Sequence, residues 1–143
     1  MKILKPTIAV IVALLTISMV QDDQKARVQA CAEKAGEGAV YLKEFTVSLP
    51  AAVEDQPVPV YRKTVILRGN NIYRFNLCND KGEAIIRIYD NAKMIVSSQY
   101  NQSENESPLL NFLCKKTGKY TILISFRDGQ AGEAIGIMSH VKQ

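Results

Sequence analysis

Beyond Gly38 the chain alternates between apolar and polar side chains in short runs broken by turn residues. Phe45, Val47 and Leu49 alternate with Glu44, Thr46 and Ser48, the two-residue period of a strand with one face buried. Pro50 closes that run, and the prolines and acids of 51–59 mark a loop. Val60 to Leu67 predicts a second strand, ended by Arg68-Gly69-Asn70-Asn71. Ile72 to Cys78 predicts a third, with Tyr73, Phe75 and Leu77 on one face and Arg74 and Asn76 on the other. Ala84 to Tyr89, rich in isoleucine, predicts a central strand, and Asp90-Asn91-Ala92-Lys93 a hairpin turn into Met94–Ser98. Residues 99–107 are almost without apolar side chains and predict an exposed loop. Leu109 to Cys114 alternates again, and Tyr120, Ile122, Ile124 and Phe126 alternate with Thr121, Leu123, Ser125 and Arg127. After a flexible, glycine-rich loop at 128–132, Ala134 to Val141 makes the last strand. Eight short strands with turns between them predict an all-β fold, an antiparallel β-sandwich of the jelly-roll kind. No long helical segment recurs between them, which excludes a parallel α/β sheet.

The first 38 residues break this pattern. Thr7 to Val20 is an unbroken apolar run preceded by Lys2 and Lys5 and ended abruptly by Gln21-Asp22-Asp23-Gln24. It is shorter than the roughly 20 residues of a spanning helix and fits the apolar core of a secretory signal. Residues 1–20 are therefore expected to be a cleaved signal peptide, with Thr16 and Ser18 able to serve as the −3 and −1 residues; an uncleaved anchor is the alternative. Asp22 to about Gly36 predicts a short helix capped by Asp22 or Asp23, with Val28, Cys31, Ala32 and Ala35 on one face and Gly36 and Gly38 as its stop. The expected organisation is a signal at 1–20, a short helical segment at 21–38 and a β-sandwich domain at 39–143.

Composition narrows the functional classes. The 143 residues are 47% hydrophobic and 22% charged, enough for one packed domain with an ordinary surface. The formal charge of +4 falls once Lys2 and Lys5 leave with the signal, and 16 basic residues then face 14 acidic ones without clustering. Nucleic acid is not an expected partner, and the mature form is not expected to sit in a membrane.

Three cysteines in an exported chain predict one disulfide and one remaining thiol. Cys78 and Cys114 each end an apolar strand just before a polar turn, and that matched position makes Cys78–Cys114 the expected pair; Cys31, in the predicted helix, can take either partner instead. Val28-Gln29-Ala30-Cys31 has some likeness to a lipobox, but Asp22 to Arg27 separate it from the apolar run, so lipidation is not expected.

No arrangement of residues carries chemistry. The one histidine, His140, lies near the C-terminus, a poor anchor for nucleophilic catalysis. The cysteines lack zinc spacing. Asp80, Glu83 and Asp90 flank one strand, and Glu104 and Glu106 sit in the long loop, as solubility alone would place them. That loop has the oxygen ligands for calcium but not the spacing of a calcium loop. No phosphate-cradling glycine motif is present. No catalytic residue, metal site or cofactor is expected. Of the six tyrosines Tyr100, at the mouth of the polar loop, is the best exposed candidate, and with Asn101, Glu104 and Glu106 it forms the expected binding site.

Three segments, Gly69 to Leu77 (GNNIYRFNL), Ile85 to Asp90 (IIRIYD) and Leu110 to Ile124 (LNFLCKKTGKYTILI), resemble the bacterial pre-peptidase C-terminal domain. There a Y-x-F strand is followed by an L-x-L-Y-D strand and later by a T-G-x-Y turn. The likeness spans roughly residues 69–126 and implies a jelly-roll sandwich acting as a non-catalytic module of secreted enzymes. This chain departs from that setting, since no enzyme accompanies the module and Glu83 stands alone where the family often places aspartates, so the resemblance implies no calcium role. The expected function is a non-catalytic module of the periplasm, cell surface or exterior that contacts an envelope or secreted protein, through the loops 99–107 and 128–133. The alternative is a small-ligand or carbohydrate-binding module.

Overall fold

The computed structural model describes residues 23–98 and 109–143. The chain divides into two compact units, residues 1–30 and Cys31–Gln143. Of the first unit residues 23–30 are described, and they are helical throughout. This helix, α1, runs on over 23–33. It ends as its polarity requires, by tightening: Lys34, Ala35 and Gly36 donate their N–H groups to the carbonyls three residues earlier. Gly36 and Gly38 both take positive φ, the left-handed conformation that glycine adopts without strain.

Among the described residues of the second unit the alternating runs form eight strands: β1 (Ala39–Leu49), β2 (Tyr61–Leu67), β3 (Asn71–Lys81), β4 (Ala84–Asp90), β5 (Lys93–Ser97), β6 (Leu109–Cys114), β7 (Gly118–Phe126) and β8 (Gly132–Val141). They form two antiparallel sheets, ordered β1-β8-β3-β6 and β2-β7-β4-β5, the strand order of a jelly roll. Every non-glycine with positive φ among the described residues, Asp55, Asn70, Asn91 and Asp128, is an Asn or Asp, the side chains that tolerate this conformation best.

The inner faces meet as the alternation predicts. Phe45 and Val47, Tyr73, Phe75 and Leu77, Ile86 and Ile88, Leu110 and Phe112, and Tyr120, Ile122, Ile124 and Phe126 are buried in one core. Where β8 begins, Gly132 is a packing necessity, because a Cβ there would collide with the edge of the Phe126 ring. Gly132→Ala is expected to cost about 1–3 kcal/mol through overpacking. A thermal melt unchanged from wild type would show that the ring gives way freely.

The cysteine expectation is overturned. Cys31 and Cys78 form the disulfide, with Cα atoms 5.9 Å apart, and Cys114 is a free, buried thiol. Cys78 and Cys114 do both end strands, but β3 and β6 are antiparallel and Cys114 lies opposite Asn71. Seven residues of β3 separate Asn71 from Cys78, roughly 23 Å at the rise of a strand. The two thiols also face opposite ways: Cys114 belongs to the inner core, whereas Cys78 pairs with Ile135 on the outer face of the sheet.

That outer face holds the segment after residue 30. The Asn76 amide donates to the Cys31 carbonyl at 2.9 Å. The Arg74 guanidinium donates to the Ala35 carbonyl at 2.6 Å and to Asn111 Oδ1 at 2.8 Å. A cation on a carbonyl just beyond a helix C-terminus satisfies both an orphan acceptor and the helix dipole. Disulfide, amide and guanidinium thus strap Cys31–Ala35 to β3.

Candidate functional site

The residues singled out for binding, Tyr100, Asn101, Glu104 and Glu106, lie outside the described residues, as do the apolar N-terminal run and its Thr16 and Ser18. The other contact loop is partly ordered into local structure. Arg127–Gly129 forms a 3-10 turn, pinned by the Ala52 N–H on the Gly129 carbonyl at 2.7 Å and the Arg127 N–H on the Glu83 carbonyl at 2.9 Å. Gly132 and Glu133 already belong to β8.

Among the described residues the groups weighed for chemistry do not converge. Glu83 forms an ion pair with Arg127 at 3.1 Å, just before β4 begins, while Asp90 ends that strand. Roughly 20 Å of extended chain therefore lies between two carboxylates that a glycosidase would hold within about 10 Å. His140 is not frayed: it is half-buried in β8, its Nε2 lies 3.0 Å from Asn71 Oδ1, and its ring meets Tyr73 edge-on. Asn71 spends its amide hydrogens on the Arg68 and Gly69 carbonyls, so the histidine is the donor and carries its proton on Nε2. Among the described residues, no three His, Cys, Asp or Glu side chains gather as a metal site requires.

Among the described residues two phenols are shifted, both away from neutrality. Tyr120 is pushed up to about 12 by its hydrogen bond with the Cys114 thiol, then by burial and by the charges of Cys114 and Asp90. The phenol of Tyr41 is raised by burial, then by its hydrogen bond to Glu44 and that residue's charge. Neither shift makes a better acid or nucleophile at neutral pH.

What the structure does assemble is a depression on the outer face of the β2-β7-β4-β5 sheet. In β2 the core takes Val65 and Leu67, which turns Arg62 and Thr64 outward. Burial of Tyr120, Ile122 and Ile124 in β7 likewise turns out Thr121 and Leu123, and burial of Ile86 and Ile88 in β4 turns out Arg87 and Tyr89. The ladders then align them: Thr121 lies between Thr64 and Tyr89, and Leu123 between Arg62 and Arg87. Arg62, Tyr89, Thr121 and Leu123, with Asn91 and Ala92 of the hairpin turn, line an open hollow of about 250 Å³. Arg87, on the same sheet face but not part of the lining, donates to Ser125 Oγ at 3.0 Å. A second hollow of about 400 Å³, at the end of the other sheet, is lined by Ser48, Leu49, Pro50, Lys81 and the start of β8. Sequence reading missed the first hollow because its members are scattered over the outward positions of three strands and one hairpin turn, brought together only by strand order.

The chain matches no family model and no curated protein, but its fold is shared with solved structures. A periplasmic inhibitor of g-type lysozyme from Aeromonas hydrophila is similar with a TM-score of 0.53 at 11% identity, over 73% of this chain and 90% of the inhibitor. The pre-peptidase C-terminal domain of a collagenase from Bacillus anthracis is similar with a TM-score of 0.52 at 14% identity, over 69% of this chain and 89% of that domain. The resemblance read from the Y-x-F, Y-D and T-G-x-Y segments thus extends to the fold itself.

Proposed function

We propose that this protein is an exported, non-catalytic β-sandwich module that contacts another protein of the periplasm or cell surface. The observation that carries this reading is the open face of Arg62, Tyr89, Thr121 and Leu123. Arginine and tyrosine are the residues enriched at the energetic centres of protein contacts, and an open hollow suits a partner's surface. Export is supported by the Cys31–Cys78 bond, since disulfides persist in oxidising compartments. The shared fold with a periplasmic lysozyme inhibitor, whose own partner is a protein, points the same way. On this reading residues 1–20 leave on export, and Tyr100, Asn101, Glu104 and Glu106 add to the contact surface.

A carbohydrate ligand is the second reading, favoured by Tyr89 and Asn91 sharing one hollow. A pull-down with the tagged protein from envelope extract, assayed for both proteins and glycans, separates the two. One protein recovered in stoichiometric amount is the expected result. Glycan recovered without protein replaces the first reading by the second.

A further inference from the structure

We propose that the hollow on the β2-β7-β4-β5 face is an anion site for a protein partner, receiving an Asp or Glu side chain flanked by apolar residues. This rests on the reading of the chain as a protein-contacting module and names where and how the contact is made. Its first support is charge. The outward positions of the four strands carry three charged side chains, Arg62, Lys119 and Arg87, all of them basic. Asp90, the last residue of β4, has the strand parity of the buried Ile86 and Ile88, opposite to that of Arg87 and Tyr89.

Geometry supplies the second support. Arg62 is exposed and makes no hydrogen bond or ion pair among the described residues, so its fork of donors is available to a carboxylate. Arg87, two strands away and roughly 10 Å across the ladder, is already engaged with Ser125 and adds positive charge to the same sheet face. Between them lies Leu123, with Thr121 and Tyr89 one row along. A carboxylate at Arg62 would therefore lie beside a hydroxyl, while its apolar neighbours cover Leu123 and the Tyr89 ring. Partial exclusion of water by those contacts strengthens the ion pair beyond that of an open surface pair. The hollow is open, and Leu123 and the Tyr89 ring offer the apolar flanks of a protein segment a surface that an acidic sugar would leave unused.

The test titrates isotope-labelled protein, purified from the envelope, with the peptide acetyl-Val-Glu-Val-Glu-Val-amide, its Lys counterpart, and trigalacturonate. The Glu peptide is expected to shift the amide resonances of Arg62, Tyr89, Thr121 and Leu123 saturably, and the Lys peptide to leave them unmoved. Arg62→Glu should weaken the Glu peptide at least tenfold, and Thr121→Trp should block the hollow by bulk without changing its charge; Arg62→Gln serves if charge reversal perturbs folding. Shifts confined to the other sheet, equal response to both peptides, or response to trigalacturonate alone would each overturn the proposal. The pull-down separates this inference from its premise. A partner that stays with both variants as with wild type leaves the module reading intact and removes this site from it. Absence of any protein partner of the wild type removes the premise itself.

Discussion

Replacing Cys78 by serine is expected to lower the stability of the β-domain by about 4 kcal/mol, the loop-closure value for the sequence separation of 47 from Cys31 to Cys78. Cys78→Ser is the cleaner of the two variants. Cys31 is 2% exposed, and a hydroxyl in its place would add a buried polar group to the effect. Denaturant unfolding with and without reductant makes the measurement. Reductant should move the wild-type midpoint onto that of Cys78→Ser and leave the variant where it is. Cys114→Ala supplies the control: its thiol is buried against the Lys116 carbonyl and the Tyr120 hydroxyl, so its loss should leave the redox dependence unchanged. Peptide mapping without reductant should recover Cys31 joined to Cys78; a peptide joining Cys78 to Cys114 would overturn the pairing.

The cysteines mark where local sequence stops being informative. Parity along a strand is local, so Tyr73, Phe75 and Leu77, or Tyr120, Ile122 and Ile124, announce their buried face without any knowledge of their neighbours. Register is not local. Both Cys78 and Cys114 precede polar turns, and only the antiparallel pairing of β3 with β6, with Asn71 opposite Cys114, separates them. The same holds for Arg74, which reads as the solvent-facing residue of a strand yet holds the Ala35 carbonyl, 39 positions earlier in the chain. It holds again for the hollow. Arg62, Tyr89 and Thr121 come from three strands whose adjacency follows from the order β2-β7-β4. What the sequence made visible in advance, Tyr100 with its polar loop, rested on exposure alone and gave no geometry.

Phe75→Ala should cost about 3–5 kcal/mol, the range for removing a large buried aromatic side chain. Phe75 is fully buried at the middle of β3, with Leu110 beside it on β6 and Met138 beside it on β8. The backbones on both sides are fixed by ladders, so the cavity cannot collapse by moving a strand. Ile66→Ala is the matched control: Ile66 is also a large apolar residue of a strand, but it faces outward and is 70% exposed, and its loss should fall within about 0.5 kcal/mol. Equal effects of the two would contradict the parity that organises the whole sandwich. Combined with Cys78→Ser the core loss should add almost fully, because Phe75 lies in the inner core and Cys78 on the outer face of the same strand. The sum, about 7–9 kcal/mol, is comparable to the entire stability of an ordinary single domain. The double variant is therefore expected to be largely unfolded without denaturant, read as the loss of near-ultraviolet circular dichroism from its tyrosines. A folded double variant would mean that the strap and the core stabilise the domain through the same interactions and are not independent.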